Sequence, residues 1–342
     1  AYAGKSWELL HPANQYLFGD ADDREYETDF PGFGRTFPHA YGAGDDKYFT
    51  TRLTLSPAGD ELTLDFASAL LENEQLGQDD IPDYLAISFS STDYVGHVFG
   101  ASSLESEDNI ARLDRTLAKL LATLDEQVGL ENTLIVLSAD HGQPEVPGHL
   151  HERGIENAFY FDVDALDKTP AIMALKKQFG VGEELIEAYF QPYLYLNHEL
   201  IRERKLDLAE VEAAIVDELM KFDGVAYAVS SSALQLGNLP DTRMVRSIRS
   251  NFHAKRSGDI YLVFEPNVFI NDFDGLTVAS THGSPWRYDT FVPVMFAGAG
   301  LPATTVSRPV TPYDIAPTLA ASLGIKPPSG AIGKPLVEVL KR

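Results

Sequence analysis

Two short, nearly uninterrupted apolar runs, with one long amphipathic helix pattern between them, constrain this chain most. Asp83-Tyr84-Leu85-Ala86-Ile87-Ser88-Phe89-Ser90 and Thr133-Leu134-Ile135-Val136-Leu137-Ser138 read as strands buried on both faces. From about Ser103 to Val128, Ile110, Leu113, Leu117, Leu120, Leu121 and Leu124 make one apolar stripe, and Gly129 stops the helix. Strand, helix and strand within about 55 residues form a βαβ unit, whose crossover requires parallel strands. The expected fold is therefore α/β: a mostly parallel sheet sandwiched by helices, with inserted segments.

The remaining chain fits around that unit. Residues 1–60 are rich in aromatics, Gly and Asp without a clear period, and read as loops, short strands and surface insertions. A helical pattern runs from Glu61 to about Gly77. Residues 155–265 form a candidate inserted or cap region within a single domain over 1–342. Its pattern predicts helices near 183–190, 208–222 and 240–252, a short apolar run from Pro192 to Leu196, and a strand at Ile260 to Phe264. The end returns to a strand at Phe291 to Phe296 and a helix from Tyr313 to Leu323.

Composition removes several function classes. Lys and Arg number 27 against 51 Asp and Glu, a formal net charge of −24. Such a balance disfavours nucleic acid and anionic membrane as partners, since both need a positive surface field. No stretch approaches the roughly 20 apolar residues of a membrane helix. With no cysteine there is no disulfide, thiolate metal site or cysteine nucleophile in the chain. Ala1 to Trp7 carry neither a charged region nor an apolar core, so they are not expected to be a signal peptide. The absence of an initiator Met suggests a processed or truncated product.

Both strands of the βαβ unit end in polar clusters, Ser91-Thr92-Asp93-Tyr94-Val95-Gly96-His97 and Ala139-Asp140-His141-Gly142. Open α/β sheets place ligands beyond the carboxyl ends of parallel strands, where neighbouring loops diverge. Asp and His suit zinc and similar divalent ions. Asp93 and His97 share a face if they form a helical turn, and Gly142 lets Asp140 and His141 leave the strand conformation. Ser280-Thr281-His282-Gly283-Ser284 supplies a further histidine in a loop of small residues. Each piece alone has an ordinary reading as a chance pair, a strand end with a turn, or a loop histidine. Two Asp/His clusters at consecutive strand ends are harder to obtain without a site. His149 and His151 read as exposed histidines, and Asn271 to Gly275 as a turn lacking EF-hand spacing. Pro285 to Tyr288 fits a role in shaping the site or in packing. Glu105 and Asp108 fit a first-turn complement to the helix dipole.

The segments Ile87 to His97, Ser138-Ala139-Asp140-His141-Gly142, Thr281-His282-Gly283 and Asp314-Ile315-Ala316-Pro317-Thr318-Leu319 together resemble the alkaline phosphatase superfamily. The nearest likeness is to its threonine-nucleophile alkaline phosphatases, allied to the type I phosphodiesterase/nucleotide pyrophosphatases. The resemblance covers the chain from about residue 1 to its end. It implies two zinc ions: Asp93, His97 and His282 match the ligands of one, and Asp140 and His141 match two ligands of the other. In the family the second ion also takes an Asp and the nucleophilic Thr, both upstream of residue 1. The phosphate-contacting Lys and Arg of the monoesterase branch lie there too. Arg35-Thr36-Phe37-Pro38-His39 imitates the nucleophile's neighbourhood, but no strand ending in a lone Asp precedes it, so Thr36 is read as a decoy. The expectation is a domain lacking its N-terminal portion, either a fragment or one piece of a nicked chain whose other piece stays associated.

The resemblance thus implies metal-dependent hydrolysis of small phosphate monoesters, in a periplasmic or secreted setting. Monoester dianions resist attack, and paired cations both neutralise charge and activate a hydroxyl. Two alternatives stand beside it: a phosphodiesterase/nucleotide pyrophosphatase using the same metals, and an inactive metal-binding fragment.

Overall fold

The computed structural model of the chain describes residues 1–273 and 275–340. Two compact units divide it, residues 1–142 with 291–342 and residues 143–290. The candidate inserted region at 155–265 falls inside the second. In the first unit, after a short strand pair (Ser6–Trp7 with His39–Ala40) and a short helix (Phe49–Thr54), come helices α1 (Pro57–Asn73), α2 (Ser91–Phe99) and α3 (Leu104–Gln127), followed by strand β1 (Leu134–Ser138). The second unit holds α4 (Pro147–Glu152), α5 (Pro170–Phe179), β2 (Ile186–Phe190), β3 (Tyr193–Leu196), α6 (Leu208–Leu219), β4 (Val225–Ser230), α7 (Arg243–Asn251) and β5 (Ile260–Phe264). The chain then returns to the first unit as β6 (Val294–Gly298) and α8 (Ile315–Ser322). No helix among the described residues is long and apolar enough to cross a membrane.

Capping residues set the helix starts. α1 begins four residues before the expected Glu61, because Ser56 accepts the Ala58 N–H and Pro57 fits the first turn, where its missing N–H costs nothing. α3 starts where expected, since the Ser103 hydroxyl accepts the Ser106 N–H at 3.0 Å. In the first unit, β1 pairs antiparallel with β6, Val294 facing Ser138 and Gly298 facing Leu134. Residues 83–90, expected as a strand parallel to β1, form no ladder among the described residues. Leu85, Ile87 and Phe89 do alternate toward Leu64, Leu71 and Leu120, so the period of two reports a strand-like side-chain pattern. A strand also needs a neighbour to take its N–H and C=O groups, and the run's own sequence cannot announce one.

Residues 1–60 depart from the reading as surface insertions. Trp7, Phe30, Phe33 and Tyr41 are buried against Val95 and Phe99 of α2 in an aromatic core. Trp7 and Phe37 meet edge to face at 5.1 Å, a favourable alignment of ring quadrupoles. Aromatics held by loops carry no period, which is why the pattern hid this core.

The first turn of α3 also differs from the expected dipole complement. Asp108 is buried and accepts four hydrogen bonds: Trp7 Nε1 at 2.6 Å, the Leu10 N–H at 2.7 Å, the Tyr16 hydroxyl at 2.5 Å and Arg112 Nε at 2.7 Å. It ties the N-terminal segment to the helix. Glu105 and His39 are both fully buried, with Glu105 Oε1 3.2 Å from His39 Nε2. Burial pulls His39 down to about 4 and pushes Glu105 well above the carboxylate range. Burial thus disfavours the charged form of each. The His39 Nδ1–H donates to the Phe33 carbonyl at 3.2 Å, which leaves Nε2 facing Glu105 Oε1.

Glu27 lies buried nearby and is pushed up to about 9, first by burial and then by repulsion from Glu105. A raised carboxyl favours the folded state at low pH, and that advantage is lost as pH climbs from the unfolded value near 4.5 through 9. A Glu27→Gln variant should match the wild type in thermal unfolding at pH 4.5. By pH 9 it should melt higher, on the order of 5 °C. Parallel melting curves at every pH would count against a protonated Glu27.

The second unit has a four-stranded antiparallel sheet in the order β2-β3-β5-β4 and a parallel pairing of Phe159–Tyr160 with Val268–Phe269. The α/β class holds, with mixed sheets. Residues 186–190, expected as helix, are strand β2, joined to β3 through Gln191 and Pro192 as a hairpin. Their helix-favouring Glu-rich lead-in was outweighed by tertiary burial. Ile172, Leu185, Leu194, Ile215, Ile260 and Leu262 form the centre of the unit's core. Asp167 accepts the Leu185 and Ile186 N–H groups at 3.0 and 2.8 Å and pairs with buried Lys176, fixing where β2 begins. Asp274 lies outside the described residues, so the Asn271–Gly275 turn is only partly described.

Candidate metal centre

Helix α2 carries the first cluster. Its buried face, Ser91, Val95, Val98 and Phe99, faces the core, and Gly100 ends it at φ 90°, a conformation that side chains with a Cβ rarely adopt. Buried Asp60 on α1 accepts the Ser91 N–H at 3.1 Å and so fixes the helix start. The two helices approach closely there, since a Cβ on Gly59 would sit 2.6 Å from Ser91 Oγ. Four residues apart on the resulting face, Asp93 and His97 bring Oδ1 and Nε2 to 3.3 Å.

The second cluster follows β1. Ser138 closes the strand by donating to the Pro293 carbonyl at 2.9 Å. Beyond it the chain leaves the ladder, and Asp140 stands 89% exposed. His141 Nδ1–H donates to the Gly142 carbonyl at 2.9 Å, which turns the other nitrogen, Nε2, toward the carboxylates. That Nε2 is 3.7 Å from Asp93 Oδ1 and 3.6 Å from Asp140 Oδ2. The first unit thus brings four of the five predicted residues, Asp93, His97, Asp140 and His141, into one group. Two imidazole nitrogens face a single carboxylate oxygen. Nitrogen and oxygen donors of this kind suit zinc, and a backbone acceptor behind a ligating imidazole is the usual means of aiming it.

His282 belongs to the second unit, on a tightly held loop. Buried Ser280 donates to the Pro144 carbonyl at 2.9 Å, and the Gln191 side chain donates to the His282 carbonyl at 2.5 Å. Gly283 has φ 109°, and a Cβ there would lie 2.6 Å from Gln191 Nε2. A Gly283→Ala change should therefore loosen the loop and cost about 1–3 kcal/mol, read by urea unfolding. An unchanged midpoint would show that the loop adapts. After the loop, Ser284 donates to Asp289 through its N–H at 2.8 Å and its hydroxyl at 2.6 Å. Trp286 Nε1 donates to the Phe264 carbonyl at 2.8 Å, which anchors the Pro285–Tyr288 segment to β5.

The lesser candidates resolve simply. His149 and His151 sit on α4, where a spacing of two does not align them; His151 is exposed and His149 half-buried. His151 Nε2 donates to the Ala158 carbonyl at 2.7 Å. Thr36 is exposed. Sequence reasoning missed Asp60, Gln191 and Asp289. All three act across long separations or by burial, and only Asp289, seven residues after His282, lay near a motif.

Known proteins match the chain along its whole length. The family model described as type I phosphodiesterase/nucleotide pyrophosphatase matches residues 22–285. A protein of Myroides odoratus named calcium-transporting ATPase is 37% identical over the whole chain, which covers 62% of that protein. Alkaline phosphatase PafA of Elizabethkingia meningoseptica is 34% identical over 98% of the chain and 60% of its own length. The crystal structure of wild-type PafA superposes with a TM-score of 0.86 and 34% identity, covering 98% of this chain and 62% of that one. The chain spans about 60% of the length of these relatives. It belongs to the type I phosphodiesterase/nucleotide pyrophosphatase family, in the alkaline phosphatase superfamily that its motifs resemble.

Proposed function

We propose that the protein containing this chain is a metal-dependent hydrolase of small phosphate monoesters, of alkaline phosphatase type. The observation that carries this reading is the convergence of the His97 and His141 imidazoles on Asp93 Oδ1 in the first unit. A relative that is 34% identical is named an alkaline phosphatase. The donor set fits zinc, being imidazoles and carboxylates with no thiolate in the chain. Asp93, His97 and His282 would hold one ion, and Asp140 and His141 would help to hold a second. Bound there, two dications supply charge neutralisation for the phosphoryl group and activation of a hydroxyl.

The chain's own residues do the rest. The helical spacing of Asp93 and His97 presents one oxygen and one nitrogen on one face without a loop to order. His141 is kept in one tautomer by the Gly142 carbonyl, so its Nε2 remains an electron-pair donor. The exposed Asp140 leaves an approach from solvent for a charged substrate. Local positive charge would draw a phosphate despite the net charge of −24. No Thr in this chain takes the nucleophile's part in this reading. It is sought in the additional length of the relatives. A periplasmic or secreted setting goes with the same reading.

A second reading, phosphodiester or nucleotide pyrophosphate hydrolysis, is favoured by the description of the matching family. The kcat/KM of the intact protein for a phosphate monoester and for a diester with the same leaving group decides between them. Monoester turnover faster by about tenfold or more is expected. Faster diester turnover would move the assignment to the other branch.

A further inference from the structure

Within the second unit, the loop that carries His282 borders a cavity of about 30 Å³, which Gln191, Gly283, Ser284 and Asp289 also line. That is room for about one water molecule. Asp289 is the buried carboxylate of this surround, 4% exposed. Its two oxygens have different fates. Oδ2 takes both the N–H and the hydroxyl of Ser284, which fixes the rotamer of the carboxylate. Oδ1 is buried and has no hydrogen-bond partner among the described residues. A buried acceptor left unpaired is costly, so a water in the cavity is expected to donate to it. His282 is an electrostatic neighbour of Asp289 and borders the same cavity.

We propose that Asp289 is a positioning residue for His282. A water held in the cavity donates to its Oδ1 and accepts from one ring N–H of His282, which leaves the other ring nitrogen as the electron-pair donor. Ser284 holds the carboxylate, and Gln191 holds the His282 backbone by its carbonyl. The ring would thus be oriented from behind while the main chain is fixed independently. This inference rests on reading His282 as a metal ligand, where such outer partners typically change affinity by about 10–100-fold.

The test is a zinc titration, against a competing chelator, of the wild-type chain, Asp289→Asn, His282→Ala and the double variant. Asn keeps the acceptor for Ser284 and replaces the free oxygen by an amide NH2, which cannot accept. Asp289→Asn should weaken zinc binding by about 10–100-fold in the wild-type background and by less than about 2-fold when His282 is already Ala. Equal weakening in both backgrounds, or none in the first, would overturn the positioning role. No effect of His282→Ala would instead remove the metal reading on which it rests. Should Asp289→Asn fail to fold, 15N NMR of the metal-free wild type decides. One fixed His282 tautomer is expected, and an even mixture of tautomers would refute the proposal.

Discussion

Alanine at Asp93 should lower monoester turnover by the intact protein by about 10³-fold or more, while far-UV circular dichroism and the unfolding midpoint stay near wild type. The size follows from the several kcal/mol that a catalytic cation contributes to stabilising charge in the transition state. Asp93 Oδ1 is the one oxygen that both His97 and His141 face, at 3.3 and 3.7 Å, so its loss removes the atom common to the group. The side chain is only half-buried on α2, and the helix is fixed by Asp60 and Gly100, which the substitution leaves in place. Turnover within about 3-fold of wild type would dismiss Asp93 as a metal ligand.

A second large effect concerns stability. Asp108→Ala should cost about 3–5 kcal/mol of unfolding free energy, because it breaks a buried charge network from one side. The Trp7 indole N–H, the Leu10 N–H and the Tyr16 hydroxyl lose their acceptor together, and Arg112 loses its buried partner. Urea unfolding followed by Trp fluorescence reads it directly, since Trp7 reports on the aromatic core that Asp108 holds to α3. A loss below about 1 kcal/mol would mean that the N-terminal segment is secured by its apolar contacts alone.

How much of this was readable in the sequence depends on the range of the interactions involved. α3, β1 and β5 were legible because a long stripe with a capping Ser103, or an unbroken apolar run, is a local signal. The Asp93–His97 pair was legible for the same reason, since a spacing of four on a helix places two side chains on one face. Residues 186–190 were misread because Glu-rich local sequence favours helix, whereas pairing with β3 and burial of Ile186 favour strand. Residues 83–90 show the converse: their alternation is real, yet no ladder forms among the described residues, and a partner is not a property of the run itself. The aromatic core of residues 1–60 and the buried Asp60, Asp108 and Asp289 left no periodic trace. An acidic residue reads as surface by composition, and only its hydrogen-bond donors, up to 101 positions away in the case of Trp7 and Asp108, reveal it as interior.

The proposed hydrolysis of phosphate monoesters requires Asp and His residues of this chain to hold divalent metal. The most direct test is the rate of p-nitrophenyl phosphate hydrolysis by the intact protein before chelation, after dialysis against chelator, and after zinc is returned. The rate should fall by about 10³-fold or more on chelation and recover for the most part with zinc. An undiminished rate in the metal-free protein would contradict that requirement.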